Sequence, residues 1–262
     1  MATAAQRPKL LVIVGETASG KSALALKVAK EFDGEIIAAD SRTIYKTLDI
    51  GTAKPTAKER KAVPHWGLDL VDPSQKSNVA QFKNYAGKKI KEAQNRGKLP
   101  ILVGGSGLYV DSILFDYQFS LSEVERDPQN PRHLKKTAKT GLDTKLWPDA
   151  LIIGLRISRE ELKLRVAQRV EKMVQEGLTE EIKAAADRYG WDANALQAPG
   201  YKAFKEYIAG EIDLETAKKQ FIKNDLDLAK RQRTWFKRNR HINWFNSPEA
   251  AYQAVKKQLL NN

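Results

Sequence analysis

Short apolar runs recur along the first half of the chain, each closed by glycine or a polar turn and each followed by residues with helical spacing. "KLLVIV" (9–14) is the first; it ends at a glycine, and residues 21–32 then repeat apolar positions at a period near 3.6. "EIIAAD" (35–40) predicts a second buried strand, with a short helix beginning in "SRTIYKTL" and a third strand in "HWGLDLVDP" (65–73). Residues 79–98 read as a helix stopped by Gly97, "LPILVGG" (99–105) as a fourth strand, and "SGLYVDSILF" as the start of another helix. "ALIIGLRI" (150–157) is a further strand. Residues 158–177, 179–190 and 214–240 then read as helices, "INWF" (242–245) as an edge strand and 249–260 as a last helix. Buried strands alternating with helices predict an α/β fold, a parallel sheet with helices on both faces plus a helical C-terminal portion.

Residues 119–148 interrupt this pattern. They are polar, contain prolines and hold one short helical stretch near 133–139. The chain therefore divides into a first part of the core (1–118), an interrupting segment (119–148) and a C-terminal helical part that completes the core (149–262).

Composition narrows the setting. A 42% hydrophobic content in 262 residues supports a sizeable core. No run of about 18 apolar residues exists to span a membrane, and "MATAAQRPK" lacks the apolar stretch of a secretory signal. Zero cysteines exclude disulfides and thiolate metal sites, so a cytoplasmic setting is expected. Lysine plus arginine number 45 against 32 acidic residues, a formal charge of +13. Such a balance fits a polyanionic partner, although a solvated basic surface would have the same sum.

The candidate chemistry begins directly after the first strand. Gly15-Glu16-Thr17-Ala18-Ser19-Gly20-Lys21-Ser22 matches G-x-x-x-x-G-K-[ST] in full, between a predicted strand and a predicted helix. Backbone N–H groups of Gly15, Thr17, Ala18, Ser19 and Gly20 can form an anion nest, Lys21 adds a point charge, and the Ser22 hydroxyl can hold Mg²⁺. The expected fold is accordingly P-loop NTPase-like. A kinase or triphosphatase usually has a carboxylate at the end of a later strand to hold the metal, whereas "LPILVGG" ends in glycines. The one strand that ends in a carboxylate is "EIIAAD". Asp40 thus stands at the ligand-binding edge of the sheet, either as a proton acceptor or as the N-cap of a helix starting at Ser41.

"GETASGKS", "IIAADSRTIYKTLDIGTAKP", "PHWGLDLVDP", "LPILVGGSGLYV", "PGYKAF" and "LAKRQRTWF" occur in that order. Together they resemble the tRNA dimethylallyltransferases, from about residue 9 to 246 with a break in the middle. The resemblance implies transfer of a dimethylallyl group from dimethylallyl diphosphate to N6 of the adenosine 3′ of the anticodon, with release of pyrophosphate. It implies Mg²⁺ as cofactor and a monomer as the acting form. Asp40 matches the family's base, Thr17 a position near the diphosphate, and Ser106 one near the target nucleotide, where threonine is usual. Ser41, Arg42 and Thr43 lie where the family contacts an extruded base and its neighbours. In "LAKRQRTWFKRNR", Lys230, Arg231, Arg233, Lys237, Arg238 and Arg240 fall on about half of a helix circumference, opposite Leu228, Trp235 and Phe236. Lys230, Arg231 and Arg233 are the expected tRNA contacts on that face. His65 and His133 have no metal spacing.

Three departures from the family pattern stand out. Residues 115–130 are too few for the helical insertion that grips the anticodon stem in the family. Asp225 and Leu226 replace a Thr-Arg pair that helps bind diphosphate, with Arg231 and Lys202 as possible substitutes, and Pro199 replaces an aliphatic residue. The shortened insertion keeps open an adenylate isopentenyltransferase that acts on a free nucleotide. An ATP-dependent small-molecule kinase and a non-catalytic RNA-binding protein are the further alternatives.

Overall fold

The computed structural model describes residues 9–119, 147 and 149–260. The strands are β1 (Leu10–Gly15), β2 (Gly34–Ala38), β3 (His65–Trp66), β4 (Leu99–Gly104), β5 (Ala150–Leu155) and β6 (Asn243–Phe245). They form one sheet in the order β3-β2-β4-β1-β5-β6, with every neighbouring pair parallel. The expected α/β architecture is therefore present. β1 lies inside the sheet and is buried along its whole length. Its alternate side chains divide between two cores, Leu10, Val12 and Val14 on one face and Leu11 and Ile13 on the other. An uninterrupted apolar run is thus a period-two strand covered on both sides.

Helices α3 (Val79–Asn95) and α4 (Gly107–Leu114) cover the first face; α1 (Lys21–Glu31) and α9 (Pro248–Leu260) cover the second. A capping box between Asn78 and Gln81 starts α3. A third core joins Ile44, Tyr45 and Leu48 to the C-terminal helices α5 (Arg159–Gln175), α6 (Leu178–Tyr189), α7 (Pro199–Ile208) and α8 (Leu214–Phe236). The helical portion is therefore packed beneath the segment that follows Asp40.

Several expected elements differ from the structure. No helix follows Ser41: the Asp40 carboxylate accepts the Arg42 N–H at 2.8 Å, and residues 41–44 form turns. The chain then runs beside Val71, whose N–H donates to Ile44 O at 3.0 Å while the Lys46 N–H donates to Val71 O at 2.9 Å. The third strand is cut to His65–Trp66 because the chain turns at Gly67 and Asp69, which have φ values of 87° and 56°. The long helix ends at Phe236 rather than at residue 240. The short helix near 133–139 and His133 lie outside the described residues. Where the interrupting segment rejoins the core, the Trp147 N–H donates to Leu114 O at 2.8 Å, so the chain returns beside the end of α4.

Residues 45–69, which include the short helix α2 (Ala57–Ala62), are held by a buried ammonium. The Lys54 Nζ donates to Tyr45 O at 2.6 Å, Asp49 Oδ1 at 2.7 Å and Asp69 Oδ1 at 2.6 Å, and its side chain is 1% exposed. Burial raises the Asp69 carboxyl, but hydrogen bonds from Lys54 and Arg60 outweigh it and hold it below the usual range. From the other side, the Glu181 carboxylate of α6 accepts the N–H groups of Asp49, Ile50 and Gly51 at 2.6, 2.8 and 2.9 Å. The expected cost of Lys54→Met is about 2 kcal/mol or more, because a buried carbonyl and a half-buried carboxylate lose their donor. Urea unfolding with an unchanged midpoint would show that this clip contributes nothing.

Candidate active site

The phosphate loop leaves β1 at Gly15 and enters α1 at Gly20, whose φ of 95° places it at the helix N-cap. The first-turn N–H groups of α1 therefore open toward the carboxyl edge of the sheet. The loop is held from the far end of the chain. Gln232 on α8 accepts the Thr17 N–H at 2.7 Å, and Arg233 grips the Glu16 carboxylate with two bonds of 2.9 and 2.7 Å. Arg169 on α5 donates to Thr17 Oγ1 at 2.8 Å and pairs with Asp225 on α8.

Thr17, Ala18, Gly20, Lys21 and Ser22 line one end of a pocket of about 480 Å³. Asp40, Thr43, Lys54, Gly104, Gly105, Arg169 and Gln232 are among its other walls. The Lys21 Nζ donates to Glu16 O at 2.5 Å. Burial lowers the Lys21 ammonium to about 8; Asp40 and Glu16 pull it up, while Arg169 pushes it further down. Asp40 and the loop thus share one pocket, as the order of elements implied.

The glycines that end β4 have a steric reason. A Cβ on Gly104 would lie 2.0 Å from Ala39 O, and one on Gly105 would lie 2.2 Å from the Gln232 amide nitrogen. A carboxylate at either position would displace the backbone beside Asp40 or the glutamine that holds the loop. Ser106 Oγ accepts the Ser41 N–H at 3.0 Å, so it secures the turn that presents Asp40.

The remaining candidates are distributed as follows. Ser19 is fully buried behind the loop, and Thr43 is buried in the pocket wall. Arg42 is tied to Asn194 O at 3.0 Å. Lys230 and Arg231 are exposed on α8. Arg233 departs from the expected outer face: it turns inward to Glu16, so it is a strut for the loop and not a free cation. Lys202 is exposed on α7 and lies outside the pocket lining. Trp235 packs partly buried against the first core and donates its indole N–H to Asp111 at 2.8 Å. His65 Nδ1 lies 2.8 Å from Val63 O. Sequence reading missed Arg169, which sits in an ordinary charged helix with no local signal. It also missed Gln232, although "AKRQ" contains it.

Fold and pocket together define a phosphate-loop protein of the parallel α/β class, with Asp40 in the pocket that the loop lines. The IPP transferase family model matches residues 43–147 and 133–239. A curated tRNA dimethylallyltransferase of Bacillus mycoides is 36% identical over 287 residues, covering 92% of this chain and 90% of the relative. The solved tRNA delta(2)-isopentenylpyrophosphate transferase of Staphylococcus epidermidis superposes with a TM-score of 0.81 at 33% identity, over 96% of this chain and 98% of that one. The full-length tRNA isopentenylpyrophosphate transferase of Bacillus halodurans gives 0.79 at 32% identity, over 97% of each chain. The chain belongs to the IPP transferase family.

Free Lys21 is mostly neutral above pH 8, whereas a bound anion requires the ammonium. Pyrophosphate binding at pH 8.5 should therefore take up a proton, measured by calorimetry in two buffers of different ionisation enthalpy. Lys21→Arg should remove that uptake. Without ligand, the unfolded chain holds the extra proton between pH 8 and 10.5, so this group makes stability rise with pH across that window.

Proposed function

We propose that this protein transfers a dimethylallyl group from dimethylallyl diphosphate to the exocyclic N6 of the adenosine 3′ of the anticodon in tRNA. The observation that carries this reading is the single pocket shared by Asp40 and the phosphate loop, in a chain of this family. The loop N–H groups and Lys21 bind the diphosphate as a leaving group. The allylic C–O bond breaks, N6 forms a bond to that carbon, pyrophosphate departs, and Asp40 takes the proton that the amine loses. An adenine amine is a weak nucleophile, since its lone pair is delocalised. A carboxylate that orients it and accepts its proton supplies what it lacks. The base must leave its stack to reach this pocket; Thr43 lines its wall, and Ser41, Arg42 and Ser106, which follow Asp40 in the chain or bond to that turn, would meet the extruded nucleotide.

Among the described residues, no group of three His, Cys, Asp or Glu could hold a metal ion alone. The donor set fits Mg²⁺, which keeps waters and substrate phosphate oxygens and needs few protein ligands; Ser22 would hold it. Bound there, it would offset charge on the departing diphosphate. Lys230 and Arg231 would meet the RNA backbone. No helix among the described residues is long and apolar enough to cross a membrane.

The test offers unmodified tRNA and AMP in parallel to the protein with Mg²⁺ and dimethylallyl diphosphate, read by mass spectrometry. A prenyl-sized gain is expected on the adenosine beside the anticodon, reduced at least ~100-fold in Asp40→Asn. Gain on AMP alone would move the protein to the nucleotide-prenylating class, and no gain on either would overturn prenyl transfer.

A further inference from the structure

We propose that Arg169, fixed by Asp225, binds the second phosphate group of the diphosphate, while the loop nest and Lys21 bind the first. The proposal rests on the prenyl-transfer reading and adds a residue that no motif signals. Arg169 donates through Nη1 to Thr17 Oγ1 at 2.8 Å and through Nη2 to the Asp225 carboxylate. Its Nε–H is buried and has no hydrogen-bond partner among the described residues. That shielded N–H faces no ligand, but a guanidinium carries five N–H donors and these two partners use two, so at the pocket wall Arg169 keeps donors for an incoming acceptor.

Thr17 points the same way. Its N–H is taken by Gln232, and its hydroxyl oxygen accepts from Arg169. A hydroxyl that accepts from a cation still has one hydrogen to donate. Thr17 and Arg169 both line the pocket that holds Lys21. Asp225 is 6% exposed, and a carboxylate so buried needs a cation. Here it serves as a positioning residue: it holds the guanidinium in one orientation and touches no ligand. The Asp225 departure thereby finds a physical use. The cation comes from α5, and α8 contributes the anion that aims it.

Calorimetry with inorganic pyrophosphate and with orthophosphate, both in Mg²⁺, tests this. A diphosphate spans both subsites, whereas orthophosphate fills the loop nest alone. Arg169→Ala should weaken pyrophosphate binding about 10- to 100-fold and change orthophosphate binding less than about twofold. Arg169→Lys, which keeps the charge but cannot bridge Thr17 and Asp225, should fall between, and it keeps the test open if the alanine variant fails to fold. Asp225→Asn should weaken pyrophosphate several-fold and leave orthophosphate unchanged. An equal loss of both ligands would mean that Arg169 only shapes the loop, and no loss of either would mean that it takes no part; each overturns the assignment. If the unaltered protein binds neither ligand, the prenyl-transfer reading falls first and the arginine assignment with it.

Discussion

Glu16 and Arg233 lie 217 positions apart in the chain, yet they form a two-bonded ion pair, with the Glu16 carboxylate almost wholly buried. A buried carboxylate is expensive unless a cation meets it squarely, and the planar guanidinium does so with two parallel bonds. The pair gives the second residue of the phosphate loop a fixed tether to α8. Gln232, the neighbouring residue on α8, fixes the third by accepting the Thr17 N–H. A loop built to bind anions carries many unsatisfied donors. The Thr17 N–H is committed to α8 and the Ser19 N–H to Glu16 O, while Ala18, Gly20 and Lys21 line the pocket.

The same helix spacing explains how α8 serves two ends. Ala217, Phe221, Asp225, Ala229, Gln232 and Phe236 are its buried positions, at steps of four, four, four, three and four residues. Phe236 enters the core on one face of the sheet, while Gln232 and Asp225 reach the loop side. Arg233 stands next to Gln232 on the helix and joins that inner face. A count of cations over half a circumference could not separate it from Lys230 and Arg231. The carboxylate that claims it is supplied by a residue near the N-terminus, and only the folded chain brings the two together.

What was legible in sequence follows from that distinction. Fully buried parallel strands are written as apolar runs, and β1, β2, β4 and β5 were readable to within a few residues. The phosphate loop was readable because its motif encodes a local backbone path. Asp40 was readable because it follows the end of β2 by two residues. By contrast, the turns after Asp40 depend on Val71 and Ser106, the short β3 depends on a turn at Gly67, and the glycines of β4 depend on Ala39 and Gln232. Each is set by a partner distant in sequence. "LPILVGG" reads as a strand that lacks a metal carboxylate, and its glycines have a steric reason: Gly104 makes room for the backbone at Ala39, just before Asp40.

Charge provides the last step of the synthesis. A formal +13 does not say where the excess lies. Many acidic groups are spent inside the fold: Glu16 on Arg233, Asp225 on Arg169, Asp69 on Lys54 and Arg60, and Glu35 on Arg96. Each of these pairs neutralises a cation that composition alone would have counted toward a polyanion. Lys230, Arg231, Lys237 and Arg240 are exposed and form no ion pair with the described residues. They sit on, or just after, the helix whose inner face anchors the phosphate loop. A polyanion seated on this outer face would therefore rest on the element that holds the loop, with no hinge between the two within α8. That rigidity suits a reaction whose two substrates must meet within bonding distance, because small errors in placement are costly to rate.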